Sequence, residues 1–88
     1  MPERTVQIVN KAGLHARPAA EIVKLAAKYA SDITVVREDL EVNGKSIMGV
    51  MMLAAEFGST LAIRANGDDA DAAVDAIASC IANKFGEH

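Results

Sequence analysis

The chain has 88 residues, enough for one compact domain with a small core and too few for two, so a single domain over residues 1–88 is expected. Apolar residues make up 51 % but include only one Tyr and two Phe, so the core has to be closely packed aliphatic side chains, which favours helices laid on a sheet. Nine Lys and Arg against twelve Asp and Glu give a formal charge of −3, the wrong sign for a ligand bound by neutralising a phosphate polymer, and this argues against nucleic acid as a partner.

Residues 4–9, RTVQIV, alternate Val6 and Ile8 with Thr5 and Gln7, the period of a strand with one buried face, and Asn10 to Gly13 break it. From Ala16 to Ala30 the apolar positions Ala19, Ile22, Val23, Leu25, Ala26 and Tyr29 recur at helical spacing, opposite Glu21, Lys24 and Lys28. The β-branched stretch ITVV, a polar turn at Arg37 to Asp39 and LEV predict a hairpin. Asn43 and Gly44 offer a competing turn, but KSIMGVMML after them lacks alternation and fits a short helix capped by Ser46, against which Gly49 weighs by about 1 kcal/mol. TLAIRANG alternates again, with Leu61, Ile63 and Ala65 inward, and Gly67 ends it. Asp68 or Asp69 then caps a last helix whose stripe is Val74, Ile77, Ile81 and Phe85, with Asp71 and Asp75 near its positive end and Lys84 and Gly86 at its close. The order βαββαβα, with each strand burying one face, predicts an α+β fold: a two-layer open-faced sandwich with all three helices on one side of the sheet.

A lone Cys80 closes no intramolecular bridge, and small secreted domains usually need such staples. No basic start leads into an apolar run, and no apolar stretch approaches the about 20 residues of a membrane span. A soluble cytoplasmic protein with no membrane partner is expected, and the expected state is a monomer.

The histidine of GLHARPA, residues 13–19, stands where a polar loop gives way to the first helix. The first N–H groups of a helix lack internal partners and, with the macrodipole, favour anions. Pro18 is tolerated in a first turn because its missing N–H would be one of those orphans, although it biases Arg17 away from helical angles and leaves the cap position open by a residue or two. Together with the fixed charge of Arg17, that field disfavours the imidazolium and favours an uncharged, nucleophilic ring at His15. Such a ring attacks phosphorus. The attached phosphoryl group, carrying about −1.5 to −2 charge, is then accepted by the same amides and by the arginine fork. A metal site is disfavoured because the other histidine, His88, is the last residue and one cysteine completes no ligand set. A Ser-His-acid site lacks a nucleophile-elbow glycine pattern. Covalent phosphoryl carriage remains, with no metal and no cofactor.

Those residues resemble the HPr family, the phosphocarriers of the bacterial phosphoenolpyruvate-dependent phosphotransferase system, over essentially the full length. GLHARPA is similar to the family's active-site segment and KSIMGVMML to its second signature. The resemblance implies an antiparallel sheet of order 1-4-2-3. It implies a carrier rather than an enzyme, in which His15 receives a phosphoryl group on Nδ1 from phosphorylated enzyme I, Arg17 stabilises it, and a histidine of a IIA-type domain takes it. Ser46 reads from its residues alone as a helix cap worth about 1 kcal/mol; the resemblance adds a regulatory phosphorylation by HPr kinase/phosphorylase. Ile47, Met48, Met51 and Met52 cannot all point inward on one short helix, so Ile47 and Met48 are expected to be exposed in an adaptable docking surface that takes in Ala16 and Met51. Met52 fits that surface or an irregular core equally well. Cys80 reads as a small hydrophobe without chemistry.

Two other functions compete. One is a mainly regulatory module, including the family's nitrogen-related branch, acting through binding partners selected by Ser46. The other is a ferredoxin-like RNA binder, for which the sheet offers Thr5, Gln7, Thr34 and Arg64 and little to stack on.

Overall fold

Alternating burial builds the sheet. Val6 and Ile8 turn inward while Thr5 and Gln7 stay exposed, and Leu61, Ile63 and Ala65 are buried against half-buried Ala62 and Arg64. The computed structural model describes residues 1–86; Glu87 and His88, the second histidine weighed above, lie outside them. Its elements are β1 (Glu3–Gln7), α1 (Ala16–Ala26), β2 (Asp32–Arg37), β3 (Leu40–Asn43), α2 (Ile47–Met52), β4 (Thr60–Asn66) and α3 (Ala70–Ala82), followed by a short 3₁₀ turn at Lys84–Gly86. β4 lies between β1 and β2, and β3 is the far edge, so the order is β1-β4-β2-β3 with every pair antiparallel. The β2–β3 register runs from Thr34 opposite Asn43 to Arg37 opposite Leu40, and Glu38, at φ +55°, turns the chain between them. Asn43 and Gly44 therefore make no hairpin. They lead into α2, and Gly44 is needed there because a Cβ would meet Ile33 Cγ2 at 2.6 Å.

The three helices cover one face. Their buried residues include Ala19, Ile22 and Ala26 from α1, Val50 from α2, and Ala70, Ala73, Val74, Ile77 and Ile81 from α3. They join Ile33, Val35, Leu61 and Ile63 of the sheet in one cluster whose buried members are all aliphatic. Tyr29 and Phe85 pack only at its margin. Each fully buried Ile or Leu contributes about 1.5–3 kcal/mol. On the open face Arg64 spans the sheet: its Nε donates to Glu3 on β1 at 2.5 Å and its Nη1 lies 3.5 Å from Glu41 on β3. The hydrogen bond to Glu3, then that carboxylate's charge, push the Arg64 pKa up. Its charge is thus met within the sheet rather than offered to a polyanion.

Three boundaries differ from expectation. The first strand ends at Gln7, because β4 begins at Thr60 and Ile8 bonds instead to the loop, donating to Ser59 O and accepting from Gly58 N. α1 ends at Ala26 rather than Ala30. The amides of Ala30 and Ser31, which a longer helix would turn back on the carbonyls four residues before them, donate to the Asp69 carboxylate at 2.8 and 2.9 Å. α3 stops at Ala82, and Lys84 and Phe85 take positive φ in the turn that follows. Among the described residues no helix is long and apolar enough to cross a membrane.

Candidate functional site

The entrance of α1 is assembled by the six residues before it. Asn10 O accepts from Gly13 N at 3.1 Å, and the buried Asn10 side chain donates from Nδ2 to Gly13 O at 2.8 Å, closing a turn at both ends. Gly13 sits at φ +73°, and a Cβ there would meet Ala55 O at 2.9 Å and Glu56 Cα at 3.1 Å, so only glycine fits. Leu14 N donates to that same Ala55 carbonyl at 2.8 Å while its side chain enters the core. Leu14 and Ala19, the positions just before the cap and in the fourth helical place, are both buried in one cluster, as in a hydrophobic staple that sets the angle of entry. His15 follows as the N-cap residue, extended at φ −99° and ψ −168°. The cap position left open by Pro18 is therefore His15.

His15 is exposed and does not turn its side chain back to cap the helix. Its carbonyl accepts from Ala19 N at 3.0 Å, and Pro18 has no N–H, so Ala16 and Arg17 carry the open amides of the first turn. No acidic residue stands in that turn. Arg17 is exposed, and among the described residues its guanidinium has no hydrogen bond or ion pair. The first turn thus offers positive charge alone among the described residues: the helix dipole, two amides and the exposed Arg17 guanidinium, directly after His15. Among the described residues no group of three or more His, Cys, Asp or Glu side chains could hold a metal ion.

α2 packs against α1. Ser46 is its N-cap, with Oγ accepting from Gly49 N at 3.0 Å, so the capping role read from the sequence is present. Gly49, which counted against the helix, belongs to that cap: a Cβ there would press on Ser46 Cβ and Oγ at 3.3 Å. Only Val50 of α2 is buried. Ile47, Met48, Met51 and Met52 are all exposed, Met48 at 77 % and Met52 at 66 %, which answers the question left open for Met52. Cys80 lies elsewhere, half-buried on α3, and burial, then the charge of Glu21, push its thiol pKa up, away from the reactive thiolate. Asn10 is the site residue that sequence reasoning missed. Its signal was local, since Asn and Gly three apart are turn residues, but they read only as an end to the strand.

A family model described as the PTS HPr component phosphorylation site matches residues 2–83. The chain belongs to the HPr family. It is 47 % identical to a phosphocarrier protein HPr of Cupriavidus necator, over 99 % of this chain and 98 % of that one. A Treponema pallidum phosphocarrier protein HPr is 49 % identical over 99 % of both chains. Among solved structures, an HPr from Thermoanaerobacter tengcongensis superposes with a TM-score of 0.95 at 46 % identity, covering 100 % of this chain and 99 % of the other. The fold and the family agree with the resemblance drawn from GLHARPA and KSIMGVMML. The protein is a phosphocarrier of the phosphotransferase system and not an enzyme.

Proposed function

We propose that His15 is the residue that carries the phosphoryl group. Its Nδ1 lone pair forms the P–N bond as the bond between phosphorus and the donor histidine of enzyme I breaks, and the reverse exchange delivers the group to a histidine of a IIA-type domain. The observation that best supports this is the entrance of α1, where the exposed His15 is the N-cap residue directly before the open amides of Ala16 and Arg17, with no carboxylate in the turn. Those amides and the Arg17 fork stabilise the added charge. Ala16, Ile47, Met48 and Met51 form the docking surface, whose flexible methionine side chains adapt to different partners. Ser46 is a regulatory phosphorylation site for HPr kinase/phosphorylase: a phosphate there keeps an acceptor for Gly49 N and sets negative charge beside the docking residues. The protein works in the cytoplasm as a monomer, without metal, cofactor, nucleic acid or membrane; a crystallised relative from Thermoanaerobacter tengcongensis is described as an HPr dimer, so sedimentation of this chain tests that last point.

The test is incubation with enzyme I and phosphoenolpyruvate, followed by mass analysis of wild type and His15→Ala. One acid-labile phosphate, absent from the variant, is the expected result; no gain in the wild type would remove the reading. A second reading, a mainly regulatory protein of the nitrogen-related branch, is supported by a Shewanella violacea relative named phosphocarrier protein NPr, 41 % identical over 97 % of this chain. Competition between enzyme I of the sugar branch and its nitrogen-branch counterpart for phosphorylating this chain separates the two.

A further inference from the structure

We propose that Asn10 is a positioning residue for His15, fixing the carbonyl of Gly13 that receives the His15 amide. The inference rests on His15 being the phosphorylated residue. Gly13 O is a shared acceptor: Asn10 Nδ2 donates to it at 2.8 Å and His15 N at 3.2 Å. The Asn10 side chain therefore reaches the N-cap residue through a single oxygen atom. The neighbouring bonds fix the loop in other places, Leu14 N on Ala55 O and Gly13 N on Asn10 O, but neither touches the cap residue itself.

What marks Asn10 as more than a loop residue is its situation. It is 4 % exposed, one of two buried polar side chains among the described residues, and its Oδ1 has no hydrogen-bond partner there. A buried amide oxygen left without a partner opposes folding, so stability alone favours an apolar or smaller side chain at this position. The NH₂ half of the same amide does have a partner, the carbonyl one residue before Leu14 and two before His15. With Gly13 held from both sides, the peptide entering the cap has one orientation, and the imidazole leaves the backbone in one direction relative to the Ala16 and Arg17 amides. Phosphoryl transfer depends on that alignment because the attacking nitrogen, phosphorus and leaving nitrogen have to lie in line, and small misplacements of a reacting group cost rate steeply. Docking, carried chiefly by the exposed side chains of Ile47, Met48 and Met51 on α2, depends on it far less.

The experiment compares wild type, Asn10→Ala, Asn10→Ser and His15→Ala as acceptors of phosphoryl groups from enzyme I and phosphoenolpyruvate, with kcat and KM measured separately and thermal melting in parallel. Alanine and serine differ by one hydroxyl, which restores a donor of short reach to Gly13 O. The expected result is a fall in kcat of about tenfold for Asn10→Ala with KM unchanged, and recovery of most of that loss in Asn10→Ser. Should Asn10→Ala not fold, Asn10→Cys, close to serine in shape but a weak donor, takes its place with the same expectation. An unchanged kcat in the donor-free variant, a loss confined to KM, or an equal loss in Asn10→Ser would overturn the inference while leaving His15 as the carrier. A wild-type protein that takes no phosphoryl group, or a His15→Ala variant that takes one, would overturn the reading of His15 and this inference with it.

Discussion

The N-termini of α1 and α3 carry the same dipole and are treated in opposite ways. At α3 the chain supplies carboxylates: Asp69 is the N-cap residue and Asp71 stands in the first turn. In the first turn of α1 it supplies none among the described residues, places an arginine there and makes no side-chain cap hydrogen bond from His15. An anion at a helix start is stabilising by about 0.3–1 kcal/mol at an exposed site, so α1 forgoes a gain that α3 takes. Even Asp69 is not spent on its own helix. Its side chain makes no cap hydrogen bond and instead receives Ala30 N, Ser31 N and Ser31 Oγ, which ends α1 and ties it to α3. One helix start is a structural joint; the other has no acid in its first turn and, on the function proposed above, receives its negative charge with the phosphoryl group.

The contrast is sharpest if the missing acid is put back. Ala16→Asp should lower phosphoryl acceptance on the order of a hundredfold, since it sets a carboxylate against the developing anion, while the melting temperature holds or rises slightly. Rate constants with enzyme I and a thermal melt check both halves. Arg17→Ala removes a charge-assisted hydrogen bond worth about 1.5–3 kcal/mol to the phosphorylated state, so transfer falls about tenfold or more. Folding stability, read by urea titration, should move by less than about 0.5 kcal/mol because the side chain is exposed.

At the other helix start the expectations reverse. The hydrogen bond from Ser31, then that from the Ala30 amide, pull the Asp69 pKa below the ordinary carboxylate value. A carboxylate whose pKa is depressed on folding contributes its full stability above the unfolded-state value and loses it as pH falls through the folded-state value. Wild type should therefore lose melting temperature through the acid range more steeply than Asp69→Asn, while the two transfer phosphate equally fast at neutral pH. Ser46→Ala is the smallest effect: loss of the α2 cap costs about 1 kcal/mol, and Ser46→Asp keeps the cap but slows transfer by adding charge near the docking residues.

Much of this was legible because it is local. Alternation at Val6, Ile8, Leu61 and Ile63 and the stripes Ala19, Ile22, Ala26 and Val74, Ile77, Ile81 each state a periodicity that burial then follows. The place of His15 and Arg17 at the start of α1 was legible for a related reason, since a helix entrance without acids can be read from adjacent letters. The end of α1 was not, because it is decided by Asp69, 38 residues later than the amide of Ser31 that it accepts. The same holds for Asp75, read only as an acid near the positive end of the last helix, which Arg4 Nε of β1 reaches across 71 residues of sequence. Gly49 misled for a subtler reason: its cost to the helix is visible in one residue, and its benefit only in the approach of Ser46.

The most direct test of the open entrance is the amide spectrum of the protein before and after phosphorylation by enzyme I. Large downfield shifts of the Ala16 and Arg17 amide protons, with Ala70 and Asp71 of α3 unmoved, are expected, because a phosphoryl group on His15 finds its donors only at the first of those helix starts. A phosphorylated protein in which the Ala16 and Arg17 amides stay where they were would contradict it.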